Sequence, residues 1–136
     1  QAELNCGLDT YDILDNTAFE VILGSNYKDY FYAKDNLSKE YSDHNYKNGN
    51  QQWNNFYNST IVVPISKIDH SNNQRNILGF LTVDNMSGYL VDNTTIEYMQ
   101  GISDLLYNYF YKFNIISNHT KLNSINNDRQ NDFIWD

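Results

Sequence analysis

The sequence predicts an α+β fold, a central antiparallel β-sheet flanked by helices, and three observations carry that expectation. Residues 59–85, S-T-I-V-V-P-I-S, then a ten-residue polar connection, then I-L-G-F-L-T-V-D-N, are the one stretch in which β-branched residues alternate cleanly, as in a hairpin. Residues 92–97, D-N-T-T-I-E, open a run whose apolar residues recur three and four apart, the period of a helix. A chain of 136 residues with 40% hydrophobic and 15% aromatic content is long enough to bury the core that joins them.

The charge narrows the partners. Seventeen acidic against nine basic residues give a net −8 with no basic cluster, the wrong sign for nucleic-acid phosphates or anionic headgroups, so no nucleic acid is expected as partner. No apolar run approaches the roughly 20 residues that span a bilayer, which excludes insertion as a membrane helix. The single cysteine, Cys6, has no internal partner for a disulfide, and no Cys/His set has zinc-ligand spacing. No metal or cofactor is therefore expected, and a reducing, cytoplasmic setting fits. The opening Gln1 reads as the start of an excised domain or a mature form. Five Asn-x-Ser/Thr triplets, at Asn36, Asn58, Asn85, Asn93 and Asn118, read as chance in so Asn-rich a chain.

In chain order, Leu8, Tyr11, Ile13 and Leu14 make a short strand or an irregular lead-in. Thr17 and Glu20 have capping-box spacing for a helix through Leu23, which Gly24 ends. Residues 30–34, Y-F-Y-A-K, read as a strand running into the turn pair Asp35-Asn36. Residues 37–58 read as an irregular loop with a short helix over 51–57. In the hairpin, Ile61, Val63 and Ile65 point one way and Thr60, Val62 and Ser66 the other; in the second strand Ile77, Leu81 and Val83 oppose Leu78, Phe80 and Thr82. Both faces are largely apolar, as in the middle of a sheet covered on both sides, and a buried Leu81 is implied. Pro64, which cannot donate to the ladder, needs an unpaired side or a bulge.

Thr94 and Glu97 repeat the capping-box spacing for a helix to about Ile116 with two apolar stripes. One holds Ile96, Met99, Leu106, Phe110 and Phe113; the other holds Tyr98, Ile102, Leu105, Tyr109 and Ile116. Two stripes exceed what one sheet face covers, which points to a homodimer through the 94–116 helix, or else to cover from elsewhere in the domain. Residues 1–116 read as a single domain and 117–136 as a polar tail, frayed or docked through Phe133, Ile134 and Trp135.

Candidate chemistry is sparse. Asp69-His70-Ser71 has the residue types of a hydrolytic triad, but adjacent residues do not align as nucleophile, base and orienter. The six glycines are scattered singly, with no phosphate-cradling loop. No catalytic residues are assigned, and the chain is not expected to be an enzyme. The 37–58 loop carries Tyr41, Tyr46, Trp53, Phe56 and Tyr57, rings too large to leave in water. Either they lid the hairpin as ordinary core, or Tyr41, Tyr46, Trp53 and Tyr57 contact a small-molecule ligand.

The ordered set S-T-I-V-V-P-I at 59–65, I-L-G-F-L-T-V-D at 77–84 and the long helix from Thr94, preceded by the strand ending K-D-N at 34–36, resembles a GAF domain, a small sensory module. The resemblance starts at the N-terminal helix from Thr17 and covers roughly 100 residues; such domains usually begin with a helix and a strand hairpin, and with only about sixteen residues before Thr17 part of that N-terminal region is expected to be lacking. It implies a GAF/PAS-like sheet with terminal helices on one face and a ligand loop, here 37–57, on the other. Bilin-binding members need a cysteine near that loop, and Cys6 comes too early. Members reducing free methionine sulfoxide need several cysteines. The cyclic-nucleotide signature Asn-Lys…Phe…Asp-Glu is not present. The resemblance therefore implies a regulatory sensor of an unidentified small molecule signalling through its C-terminal helix, or a ligand-free interaction or dimerisation module.

Overall fold

A computed structural model of the chain describes residues 12–24, 31–71 and 74–131, with residue 74 and residues 116–131 described by backbone alone. Expectations for residues 1–11 (Cys6, Leu8 and Tyr11 among them), for Tyr30 and for Phe133, Ile134 and Trp135 lie outside the described residues. The elements are a 3-10 turn at Ile13–Asp15, helix α1 at Thr17–Gly24, strand β1 at Tyr32–Lys34, helix α2 at Leu37–Ser42, a second 3-10 turn at Trp53–Asn55, strands β2 at Ser59–Asp69 and β3 at Gln74–Asn85, and helix α3 at Asn93–Asn131. The fold is α+β. Its described strands form one antiparallel sheet in the order β1-β2-β3, with Ala33 opposite Ile61 and Ile61 opposite Val83.

β2 is the axis because its first seven residues, Ser59 to Ile65, are all buried, so both of its faces need cover. On one face Ile61 and Val63 pack with Ile96 and Met99 of α3, edged by Ala33, Leu81, Leu90 and Val91. On the other, Val62 packs with Tyr32, Leu37, Tyr46 and Trp53 and with Ala18 and Ile22 of α1. The result is three layers: α3, the sheet, and α1 with the 37–58 segment. Pairing with β1 stops at Val62, two positions before Pro64, so the proline's missing N–H leaves no bond unmade there. The Pro64 carbonyl accepts the Ser103 hydroxyl at 2.6 Å, tying β2 to α3.

Strict alternation fails once in the hairpin. Ile65 pairs with Gly79 but Ser66 with Ile77, which leaves Leu78 as the extra residue of a β-bulge. The bulge shifts the phase, so Ile77 packs with Phe80 on the α1 side and not with Leu81 on the α3 side. Leu81, expected to be fully buried, is half-buried at the margin of its cluster, since β3 is an outer strand of the described sheet.

Helix starts also differ from the expected capping boxes. Asn16 caps α1: its Oδ1 accepts from the Ala18 N–H at 2.9 Å and its carbonyl from the Glu20 N–H at 3.0 Å. The Thr17 hydroxyl instead accepts the Lys47 N–H at 2.8 Å, and the Glu20 carboxylate meets Lys47 Nζ at 3.1 Å. Both supposed capping residues thus hold a neighbouring loop. At α3 the cap is Asp92, whose Oδ1 accepts from the Thr95 N–H at 2.9 Å. Residues 37–58 are more regular than expected at their start, where Asn36 Oδ1 caps α2 through the Lys39 N–H at 3.0 Å, and less so at 51–57, where one 3-10 turn replaces the helix.

The helix expected to end near Ile116 runs to Asn131, 39 residues and about 58 Å long. Over residues 93–115 its buried residues are Ile96, Met99, Ser103 and Tyr107, spaced by three, four and four. Serine and tyrosine on that seam are polar at the tip yet bury well, the one against a carbonyl and the other with its hydroxyl accepting from Asn76 Nδ2 at 3.1 Å. Phe110 and Phe113, of the same stripe as Ile96 and Met99, lie about one and two turns beyond Tyr107 and are exposed. Among the described residues no helix is long and apolar enough to cross a membrane.

The two sides of the β2–β3 pair should respond unequally to truncation. Ile61, with no exposed surface, should lose about 2–5 kcal/mol as Ile61→Ala. Its cross-strand partner Val83 is 38% exposed and should lose less than about 1 kcal/mol as Val83→Ala. Urea unfolding of the two variants checks the register.

Candidate functional site

A cleft of about 440 Å³ opens between the start of α1 and the sheet face opposite α3. Its apolar wall is Ile13, Ala18, Phe19 and Val62; its polar wall is Asp12, Asn16, Tyr46, Asn48, Tyr57, Thr60, Thr82 and Asp84. The alternation of the strands places four lining residues side by side, since Thr60 lies opposite Asp84 and Val62 opposite Thr82. Phe19 is steadied by the ring of Phe80, 4.7 Å away between centroids.

Trp53 organises the aromatic side of the cleft from behind. It is 4% exposed and touches three rings: Tyr46 edge-on at 5.1 Å, Tyr57 at 5.8 Å and Tyr41 at 5.9 Å. Tyr46 and Tyr57 turn their hydroxyls to the cleft, where Asn48 Nδ2 donates to both oxygens, at 3.0 and 2.6 Å. The two hydroxyls are 3.4 Å apart. Each phenol thus accepts from Asn48 and keeps its own proton, of which the pair can share one.

Of the four aromatics singled out by sequence, Tyr46 and Tyr57 line the cleft, Trp53 supports them as core, and Tyr41, 51% exposed, packs on the outer side of Trp53 and does not line it. The sequence reading missed Phe19, Asn48, Thr60, Thr82 and Asp84 as lining residues. A signal for three of them was present: Thr60, Thr82 and Asp84 are polar positions on a strand face otherwise expected to be covered.

Among the described lining residues the cleft holds two acidic side chains, Asp12 and Asp84, and no basic one. Burial pushes the Asp84 carboxyl above the usual carboxylate range, and the hydrogen bond from Thr60 opposes that shift. Burial likewise raises the Tyr57 hydroxyl, with the contact to Tyr46 adding to it, so Tyr57 stays neutral. Beside Asp84, Asn85 Oδ1 takes the Ser59 hydroxyl and accepts from Ser87 N–H at 3.0 Å and Gly88 N–H at 3.2 Å. Asp35 Oδ1 accepts from Leu90 and Val91 N–H at 2.8 and 2.9 Å. The edge of the cleft is in this way joined to the segment that leads into α3.

Elsewhere the D-H-S run forms no relay. The Ser71 hydroxyl donates directly to Asp69 Oδ1 at 2.7 Å, closing a turn at the strand end, with His70 outside that bond. A second hollow of about 410 Å³ lies between α3 and the turn end of the hairpin, lined by Pro64, Lys67, His70, Arg75, Ser103 and Asp104 among others. Among the described residues no three of His, Cys, Asp or Glu gather as a metal set. No protein-family model, curated protein or solved structure matches the chain.

The Asp84 shift has a definite sign. Its raised folded-state value favours the protonated form, so its contribution to stability is fully present below the unfolded value of about 3.9 and is lost as pH rises through the raised folded value. Asp84→Asn should therefore raise the melting temperature at neutral pH, with the gain shrinking as pH falls toward 4. Thermal unfolding of both proteins across that range measures it.

Proposed function

We propose that the chain is a regulatory sensory domain of the GAF kind that binds a small molecule in the cleft and passes the event to α3, without a catalytic step of its own. The observation that carries this reading is the cleft: about 440 Å³ falls in the range of small-molecule sites, and convergent polar groups stand opposite an apolar wall, as such sites require. The route to α3 is short. Val62 lines the cleft while Ile61 and Val63, its neighbours on one buried strand, pack under α3. A change in the height of β2 is felt on both faces, because a close-packed interior transmits displacement.

The test is a thermal-shift screen of nucleotides, amino acids and other metabolites against wild type and Thr82→Trp. Thr82 is exposed and lines the cleft, so the indole should fill the space without disturbing the core. A ligand at about 100 times its Kd should add about 2.7 kcal/mol to wild-type stability. The same ligand should leave Thr82→Trp unmoved; equal stabilisation of both proteins would refute the cleft.

A second reading, a dimerisation module, is favoured by a specific feature of α3. Tyr98, Ile102, Leu105 and Tyr109 are spaced by four, three and four residues, a heptad seam, and Tyr98 and Leu105 are each 72% exposed. Tyr109, Phe110, Tyr111, Phe113 and Ile115 beyond the last buried residue are exposed as well. The seam residues bear no charge, and Glu97 and Asp104 fall beside the seam at equivalent heptad positions outside the contact. A second copy of the same helix therefore meets it without like-charge opposition. Such a seam is needed to hold a helix that runs so far past the sheet, since an unsupported helix in water is marginal. The two readings are compatible, the seam being the means of output. Light scattering should show a dimer that Leu105→Glu converts to a folded monomer; a wild-type monomer at tens of micromolar would count against the seam.

A further inference from the structure

We infer that the cleft takes a small organic cation, an amine or quaternary ammonium on an apolar body, held among the Phe19, Tyr46 and Tyr57 rings with its charge toward Asp84. The inference rests on the cleft being the ligand site proposed above, and it concerns the chemistry that the walls select.

Two acidic side chains, Asp12 and Asp84, line the cleft, and among the described lining residues there is no lysine, arginine or histidine. The nearest cation on the adjoining loop, Lys47, is engaged by Glu20 at 3.1 Å and borders a separate hollow with Thr17 and His44. Among the described lining residues an anion would meet only like charge. Nor would it find the start of α1 free to receive it. The amides of the first turn are already bonded: Thr17 N–H to the Lys47 carbonyl at 3.1 Å, Ala18 N–H to Asn16 Oδ1 at 2.9 Å, and Phe19 and Glu20 N–H to the Asn16 carbonyl at 3.2 and 3.0 Å. The feature that most often makes a helix start an anion site is thus used up within the protein.

For a cation the same walls are favourable. Aromatic rings attract a positive group, and the solvent-accessible Asp84 side chain lines the same cleft as Phe19, Tyr46 and Tyr57. The burial that raises the Asp84 carboxyl is what a bound cation would offset. The phenol pair supplies a hydroxyl proton not needed by Asn48, available to an acceptor on the body of the ligand. The apolar wall of Ile13, Ala18, Phe19 and Val62 suits a hydrocarbon or ring, and would favour such a ligand over a small hydrated metal ion.

Three probes that share one ring and differ in charge decide it: tyramine (cationic), 4-hydroxyphenylacetamide (neutral) and 4-hydroxyphenylacetate (anionic). Each is titrated into the isotope-labelled full chain and followed by amide shifts in two-dimensional NMR. Tyramine should shift the amides of Phe19, Asn48, Tyr57 and Thr82 and bind about tenfold tighter than the amide, and Asp84→Asn should erase that preference. Binding of the amide or the carboxylate at these same amides, as tight as that of tyramine or tighter, overturns the inference while the cleft stands as a ligand site. A tyramine preference that survives Asp84→Asn overturns the part given to that carboxylate. Silence from all three at millimolar concentration also overturns the inference, and the cleft reading is then decided by the Thr82→Trp comparison.

Discussion

Seven consecutive buried residues in one strand, Ser59 to Ile65, are the constraint from which the rest of the molecule follows. A strand presents alternate side chains to opposite faces, so a run that is buried throughout needs a covering layer on each side. α3 supplies one through Ile96 and Met99. The other is assembled from smaller pieces, α1 and the aromatic residues of the 37–58 segment, because no second long helix lies on that face among the described residues. A cover made of pieces leaves a gap between them, and the cleft is that gap.

The pieces are held by short polar side chains, with the ion pairs Glu20–Lys47 and Lys34–Glu40 beside them. Asn58 gives its carbonyl to the Leu37 N–H at 2.7 Å and its Oδ1 to the Ser38 N–H at 2.9 Å, docking α2 at the head of β2. Asn85 gathers the Ser59 hydroxyl and the amides of Ser87 and Gly88, while Asp35 holds those of Leu90 and Val91. Gly88 is at φ 76° there, and a Cβ on it would meet the Asp35 carbonyl at 3.0 Å, so the turn accepts no larger residue without strain. Part of the abundance of asparagine has structural work, at Asn16, Asn36, Asn48, Asn58 and Asn85, each of which satisfies backbone or side-chain groups at a cap or turn.

The cleft and the exposed seam of α3 lie on opposite faces of the same sheet, and β2 belongs to both. Under the sensory reading proposed above, that arrangement would give a ligand event one strand's thickness to cross before it meets the helix. It also explains why polar residues are tolerated on the cleft side of the hairpin: Thr60 and Asp84 face a space and not a packed layer, so their hydrogen-bonding groups keep partners or room.

By itself the sequence determined the α+β class, the hairpin at the centre and the long helix after it, because alternation and helical period are local patterns set by which side of a strand or helix meets water. It also marked the aromatics of the 37–58 segment as rings that must be sheltered, either as a lid over the hairpin or as the wall of a ligand site. Only the tertiary structure decided which residues cap the helices, because Thr17 and Glu20 have two possible partners and Lys47, thirty and twenty-seven residues away in the chain, is the one that folding brings to them. The same holds for the Leu78 bulge that moved Ile77 to the other face, for Ser103 and Tyr107 on the buried seam of α3, and for the union of Phe19, Asn48, Thr60, Thr82 and Asp84 with Tyr46 and Tyr57. Each depends on groups far apart in the chain meeting in a register that no local pattern encodes, and the cleft exists only where those separate elements fail to close on one another.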